Sequence, residues 1–143
     1  MPSRGTPDLV VFACVHNAGR SQMAAAFFDA LADPERARAI SAGTDPAARV
    51  HPEVVAAMGE VGIDVSRAVP QRLTADLAAG ARLLVTMGCG DRCPYLPGAE
   101  LDDWPLADPR GQAIDAVRGI RDEVKARVER LVRTRGWSSR TDR

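Results

Sequence analysis

The 143 residues are 45% hydrophobic and 27% charged, with 19 basic side chains balanced by 19 acidic ones. That length suits one domain with a core of its own, and the even charge balance argues against a broad nucleic-acid surface or an anionic-membrane binder. No apolar run is long enough for a membrane span or for the core of a signal peptide, so a cytoplasmic protein is expected.

In chain order, Leu9–Ala13 reads as a buried strand and Ser21–Leu31, rich in Ala, Met and Phe, as a helix with one packed face. Asp33 and Pro34 break that helix. Arg38–Ala42 reads as a second strand closed by Gly43. His51–Val61 reads as a helix, with Pro52 tolerated in the first turn and Gly62 at the end. Leu73–Ala79 reads as a shorter helix and Arg82–Met87 as a third buried strand. A Gly- and Pro-rich loop runs from Gly88 to Gly98, and Leu101–Leu106 reads as a short fourth strand. Ala113–Arg133 is a long amphipathic helix with Ile114, Val117, Ile120, Val124, Val128, Leu131 and Val132 in its apolar stripe. The expected domain spans residues 8–135, with flexible termini at 1–7 and 136–143. Strands alternating with helices imply a single α/β domain with a four-stranded parallel sheet and right-handed crossovers. Ligands bind such sheets at the carboxyl ends of the strands. That rim receives Cys14 from the first strand and the Gly88–Cys93 loop from the third, so all three cysteines belong to one edge.

The first of these loops holds Cys14, Val15, His16, Asn17, Ala18, Gly19, Arg20 and Ser21. A loop between a strand and a helix can turn its backbone N–H groups inward as an anion nest, and the helix adds its positive end. Arg20 can grip two oxygens of a tetrahedral anion with its planar fork. That positive field suits a thiolate at Cys14, the reactive form of the sulfur. Gly19 permits close approach, Asn17 can hold a left-handed turn, and Ser21 can cap the helix or donate to the Cys14 sulfur. A cysteine can equally be a small buried hydrophobe; its place between strand and helix favours the anion site.

Cys89 and Cys93 would serve zinc only with two further ligands. Cys14, His16 and His51 are the candidates and a second paired motif is missing, so no metal is expected. Two unrelated surface thiols are the plainer alternative. On a regular helix, residues four apart hold their Cβ atoms about 5–6 Å apart, whereas a disulfide wants ~3.8 Å. A bond between the two therefore needs a non-helical segment, which Gly88, Gly90 and Pro94 make easy.

The stretches "CVHNAGRSQMAAAFF", "SAGTDPAARVHPEVVAAMGEVGID", "LLVTMGCGDRCPYLPG" and "DWPLADPRG" together resemble the arsenate reductases built on the low-molecular-weight tyrosine phosphatase fold, especially the three-cysteine type coupled to thioredoxin. The resemblance covers residues 8 to 133. It implies that arsenate, with phosphate or sulfate as mimics, binds the loop from Val15 to Ser21 and that no cofactor is needed. Cys14 would attack arsenic, Arg20 would stabilise the oxyanion, and Asp108 would protonate the departing oxygen. Cys89 and then Cys93 would carry the oxidation to a disulfide recycled by thioredoxin. Three residues separate the last two cysteines here, against six in many thioredoxin-coupled members. Some members also hold potassium through an asparagine and a glutamate. Asn17 matches the first and Ala25 stands at the second, which implies no strong potassium dependence.

Other residues have plainer roles: His16 lines the loop, His51 starts a helix, Ser41, Thr44 and Asp64 brace the loop from below, and Tyr95 and Trp104 pack at the rim. Charges on the last helix form a solvated face. Two rivals use the same loop: a phosphotyrosine phosphatase, which leaves Cys89 and Cys93 idle, and a reductase that passes arsenate to a low-molecular-weight thiol such as mycothiol. An arsenic sensor would need a DNA-reading element, and the chain has no helix-turn-helix signature.

Overall fold

A computed structural model describes residues 6–88 and 98–138. In chain order the elements are β1 (Asp8–Cys14), α1 (Arg20–Leu31), β2 (Ala37–Gly43), α2 (Pro52–Gly59), β3 (Ala81–Thr86), β4 (Glu100–Asp103) and α3 (Ile114–Thr134). The four strands form one parallel sheet in the order β2-β1-β3-β4. β1 is therefore central, which is why its residues Val10–Ala13 are all fully buried and read as a continuous apolar run.

Strand alternation divides the core into two layers. Val10, Phe12 and Cys14 face the same side as Leu83, Val85 and Met87, and all three helices pack there. Phe12 meets Phe28 of α1 edge-on, ring centroids 5.9 Å apart, and lies 5.6 Å from Trp104. Each such side chain contributes about 1.5–3 kcal/mol by leaving water. Val11, Ala13, Ala42 and Leu84 face the other side, where Leu73, Ala78 and Ala81 cover them.

Three expectations need correction. Leu73–Ala79 is a set of turns rather than a helix. Thr74 accepts from the Leu77 and Ala78 amides, and Gly80 at φ 80 ends the segment. One turn does not repay helix nucleation in so short a stretch. The fourth strand stops at Asp103: the Trp104 amide still donates to Thr86 O, but Pro105 has no N–H with which to extend the ladder. Trp104 itself is not a rim residue, being 4% exposed in the core.

Packing also runs past residue 135. Trp137 is buried against Phe28, its indole donates to Asp8 Oδ2 at 3.2 Å, and its carbonyl accepts from the Asp33 amide. The polar side of α3 is likewise more than a solvated face. Arg121 is buried and donates to Ala57 O of α2 and to Glu60, that helix's C-cap. Among the described residues no helix is long and apolar enough to cross a membrane.

Candidate active site

Cys14 ends β1 and Arg20 begins α1, so the loop between them bridges the sheet edge and a helix N-terminus. Five consecutive carbonyls point outward. Cys14 O accepts from Thr44 N, Val15 O from Asp45 N, His16 O from Ala47 N, Asn17 O from Gln22 Nε2, and Ala18 O from His51 N. The peptides are all trans. In a planar trans peptide the next N–H points opposite to the carbonyl. The amides of residues 15–19 are thereby turned away from the enclosing segment, as an anion nest requires. Gly19 is the N-cap of α1 and no side chain caps the helix.

Asn17 fixes the loop from within. It is fully buried with φ 50, a left-handed conformation that asparagine tolerates better than most residues. Its side-chain oxygen accepts from the Gln71 amide at 2.9 Å and from Gln22 Nε2 at 3.2 Å. Its Nδ2 donates to Ser21 Oγ at 2.8 Å. Ser21 Oγ lies 2.9 Å from Cys14 Sγ. Because the hydroxyl oxygen accepts from Asn17, its own proton is free to point at the sulfur. Ser21 sits inside the helix and serves the sulfur, not the cap. Cys14 is 2% exposed and carries a free thiol.

Arg20 reaches the opposite wall. Nη1 donates to Leu106 O at 3.1 Å, and Nη2 lies 3.7 Å from Asp108 Oδ2. Nε is buried and makes no hydrogen bond among the described residues, although buried donors are ordinarily paired. Gly88 stands at φ 100 where a Cβ would collide with the guanidinium.

Asp108 follows β4 and arrives beside Arg20. Its Oδ1 accepts from the Arg110 amide at 3.0 Å, and its carbonyl accepts from Gln112 Nε2. Pro109 rests on Gly19: a Cβ there would fall 2.7 Å from Pro109 Cγ and 3.6 Å from His51 Cδ2. His51 lies close enough to feel His16, Glu53, Asp108 and Arg110. Burial is the main influence and pushes the imidazole below its ordinary value, against the pull of Glu53 and Asp108.

The structure thus brings together Cys14, Val15, His16, Asn17, Ala18, Gly19, Arg20, Ser21 and Asp108. Cys89 and Cys93, and Tyr95 with them, lie outside the described residues. Ser41 braces the loop only indirectly, its carbonyl accepting from Gln71 Nε2, while Thr44 contributes its amide. Among the described residues Asp64 makes no bond to the loop; it closes an exposed turn by accepting from Ser66 N. Gln22, Gln71, Glu53 and Gly88 were not legible as site residues. Only Gly88 carried a local signal, a glycine directly after a buried strand. Among the described residues no cluster of His, Cys, Asp or Glu could hold a metal ion.

A buried thiol, a clamped guanidinium and a carboxylate thus stand around one strand–helix loop. Known proteins agree in fold and sequence. An enzyme of Synechocystis called glutaredoxin arsenate reductase is 36% identical over 126 residues, covering 86% of this chain and 95% of that one. Arsenate reductase of Staphylococcus aureus is 33% identical over 129 residues, covering 87% and 95%. The structure of a thioredoxin-dependent arsenate reductase from Corynebacterium glutamicum superposes with a TM-score of 0.79 at 37% identity over 91% of this chain, which spans 62% of that longer one. Residues 9–137 match the model of the low molecular weight phosphotyrosine protein phosphatase family, and the chain belongs to that family.

Proposed function

We propose that this protein reduces arsenate to arsenite by a thiol relay. The observation that carries the reading is the shared cradle of Cys14 and Arg20, in which Ser21 faces the sulfur and a buried guanidinium donor awaits an oxyanion. The relatives named as arsenate reductases support the substrate.

Arsenate enters the loop, where Arg20 and the loop amides take its negative oxygens. The Cys14 thiolate attacks arsenic, and Asp108 gives a proton to the departing oxygen, which leaves as water. Cys89 then attacks the Cys14 sulfur. The electron pair of the sulfur–arsenic bond passes to arsenic, arsenite departs, and a Cys14–Cys89 disulfide remains. Cys93 attacks Cys89, freeing Cys14 and leaving Cys89–Cys93 for thioredoxin in the cytoplasm. Gly88, the last described residue before Cys89, abuts Arg20, which supports a relay that begins at the rim of the site.

The test is NADPH consumption with arsenate, thioredoxin and thioredoxin reductase. Wild type turns over, and Cys14→Ser, Cys89→Ser and Cys93→Ser each stop multiple turnover. Normal cycling of Cys93→Ser would overturn the relay. Turnover only with glutaredoxin or mycothiol would replace the reductant. Hydrolysis of a phenyl phosphate without arsenate reduction would identify a phosphatase.

A further inference from the structure

We propose that Glu53 is a positioning residue for the Asp108 loop, holding the acid against Arg20 through the Gly111 amide. The inference rests on the reading of Asp108 as the acid of arsenate reduction.

Glu53 lies in the first turn of α2, on a different element from the loop it touches. Its Oε2 accepts from the Gly111 amide at 2.7 Å, a short charge-assisted bond. Gly111 stands at φ 70, a conformation glycine adopts freely. The carboxyl is drawn below its ordinary range, first by its own backbone amide and then by that of Gly111. It therefore stays an ionised acceptor at neutral pH.

The geometry makes this bond a clasp. Within the segment, Arg110 N ties back to Asp108 Oδ1 and Gln112 N to Pro109 O, so residues 108–112 are bonded to one another as a compact unit. That unit is pinned to its surroundings at two ends. Pro109 packs on Gly19, and Gly111 hangs from Glu53. The nearby Asp108–Arg20 approach is long, at 3.7 Å with the carboxylate 41% exposed. Such a contact is too weak to hold the acid alone. His51, the N-cap of α2, gives its amide to Ala18 O of the anion loop. One helix start thus sets the anion loop and the acid loop in the same frame.

The test is a double-mutant cycle read as kcat/KM for arsenate, which covers formation of the sulfur–arsenic bond. Glu53→Ala should lower it by roughly 10- to 100-fold, since a displacement of about 1 Å at a catalytic group can cost ~100-fold. Glu53→Gln keeps an acceptor oxygen and should restore most of the activity. In an Asp108→Asn background, Glu53→Ala should cause no further loss, because its effect passes through the acid. Amide exchange at Gly111 should quicken in Glu53→Ala while the melting temperature stays unchanged. An equal, additive loss in the Asp108→Asn background would overturn the inference, as would unchanged Gly111 exchange. Wild-type kcat/KM in Asp108→Asn itself would instead remove the acid reading on which the inference rests.

Discussion

Gly88 and Arg20 occupy adjoining space with nothing between them: a Cβ on Gly88 would overlap the guanidinium at Nη1. Gly88→Ala should therefore push the clamp off the Leu106 carbonyl and misaim it. Loss of a preorganised oxyanion donor lowers turnover by roughly 100-fold, and kcat/KM for arsenate should fall by that order. Gly98 is the control. It has a similar φ of 89, and among the described residues nothing lies within 4 Å of a Cβ placed there, so Gly98→Ala meets the same backbone strain without touching Arg20. Equal losses in the two variants would assign the effect to strain and not to the clamp.

Asn17 joins three segments: the loop, α1 through Ser21 and Gln22, and the chain at Gln71. Asn17→Ala leaves several buried polar groups unpaired, at about 1–3 kcal/mol each, and forces alanine into a left-handed conformation at about 1–2 kcal/mol. Urea unfolding should show a loss of several kcal/mol. Asn17→Gly forfeits the same hydrogen bonds but relaxes the backbone, so it should be the milder of the two. If the glycine variant were the less stable, the φ of 50 would not be a source of strain.

Much of this site could be read in the chain because its parts are local. The thiol and the guanidinium stand six positions apart at a strand–helix junction, and Asp108 follows a strand of the same sheet. The left-handed bend at Asn17 follows from residue type alone. What was hidden depends on contacts across long sequence distances. Gln71 meets Asn17 across 54 positions and Glu53 meets Gly111 across 58, and neither glutamine nor glutamate announces such a role in its own neighbourhood. Trp104, expected to pack at the rim, is drawn into the core for a related reason: its ring meets Phe12, on a strand far away in the sequence. The Leu73–Ala79 segment has helical composition but too few residues to hold a helix.

The C-terminal boundary makes a stability prediction. Trp137 packs on Phe28, stacks beneath the Arg135 guanidinium at 5.5 Å and bonds to Asp8. Trp137→Ala should destabilise the fold by about 3–5 kcal/mol, as for other large buried aromatics. Truncation after residue 135 should do at least as much. A truncated chain with the denaturation midpoint of the full protein would show that the domain ends before this tryptophan.

Glu60 receives Arg118 at 2.7 and 2.9 Å and Arg121 at 2.8 Å, which ties α2 to α3. Hydrogen bonds from Arg118 foremost, then from Arg121, hold its carboxyl down to about 2. An unfolded glutamate titrates near ~4.3. The folded value is the lower one, so the unfolded chain takes up the proton first as the pH falls. The stabilisation from Glu60 is therefore complete above the unfolded value and is lost progressively as the pH drops toward about 2. Urea midpoints of wild type and Glu60→Gln should differ by a constant amount from neutral pH down to about pH 5, then converge below it. Because the cluster faces solvent, added salt should narrow the gap at neutral pH. A gap that stays the same width down to pH 2 would mean that Glu60 holds the two helices together through packing, with its charge contributing nothing.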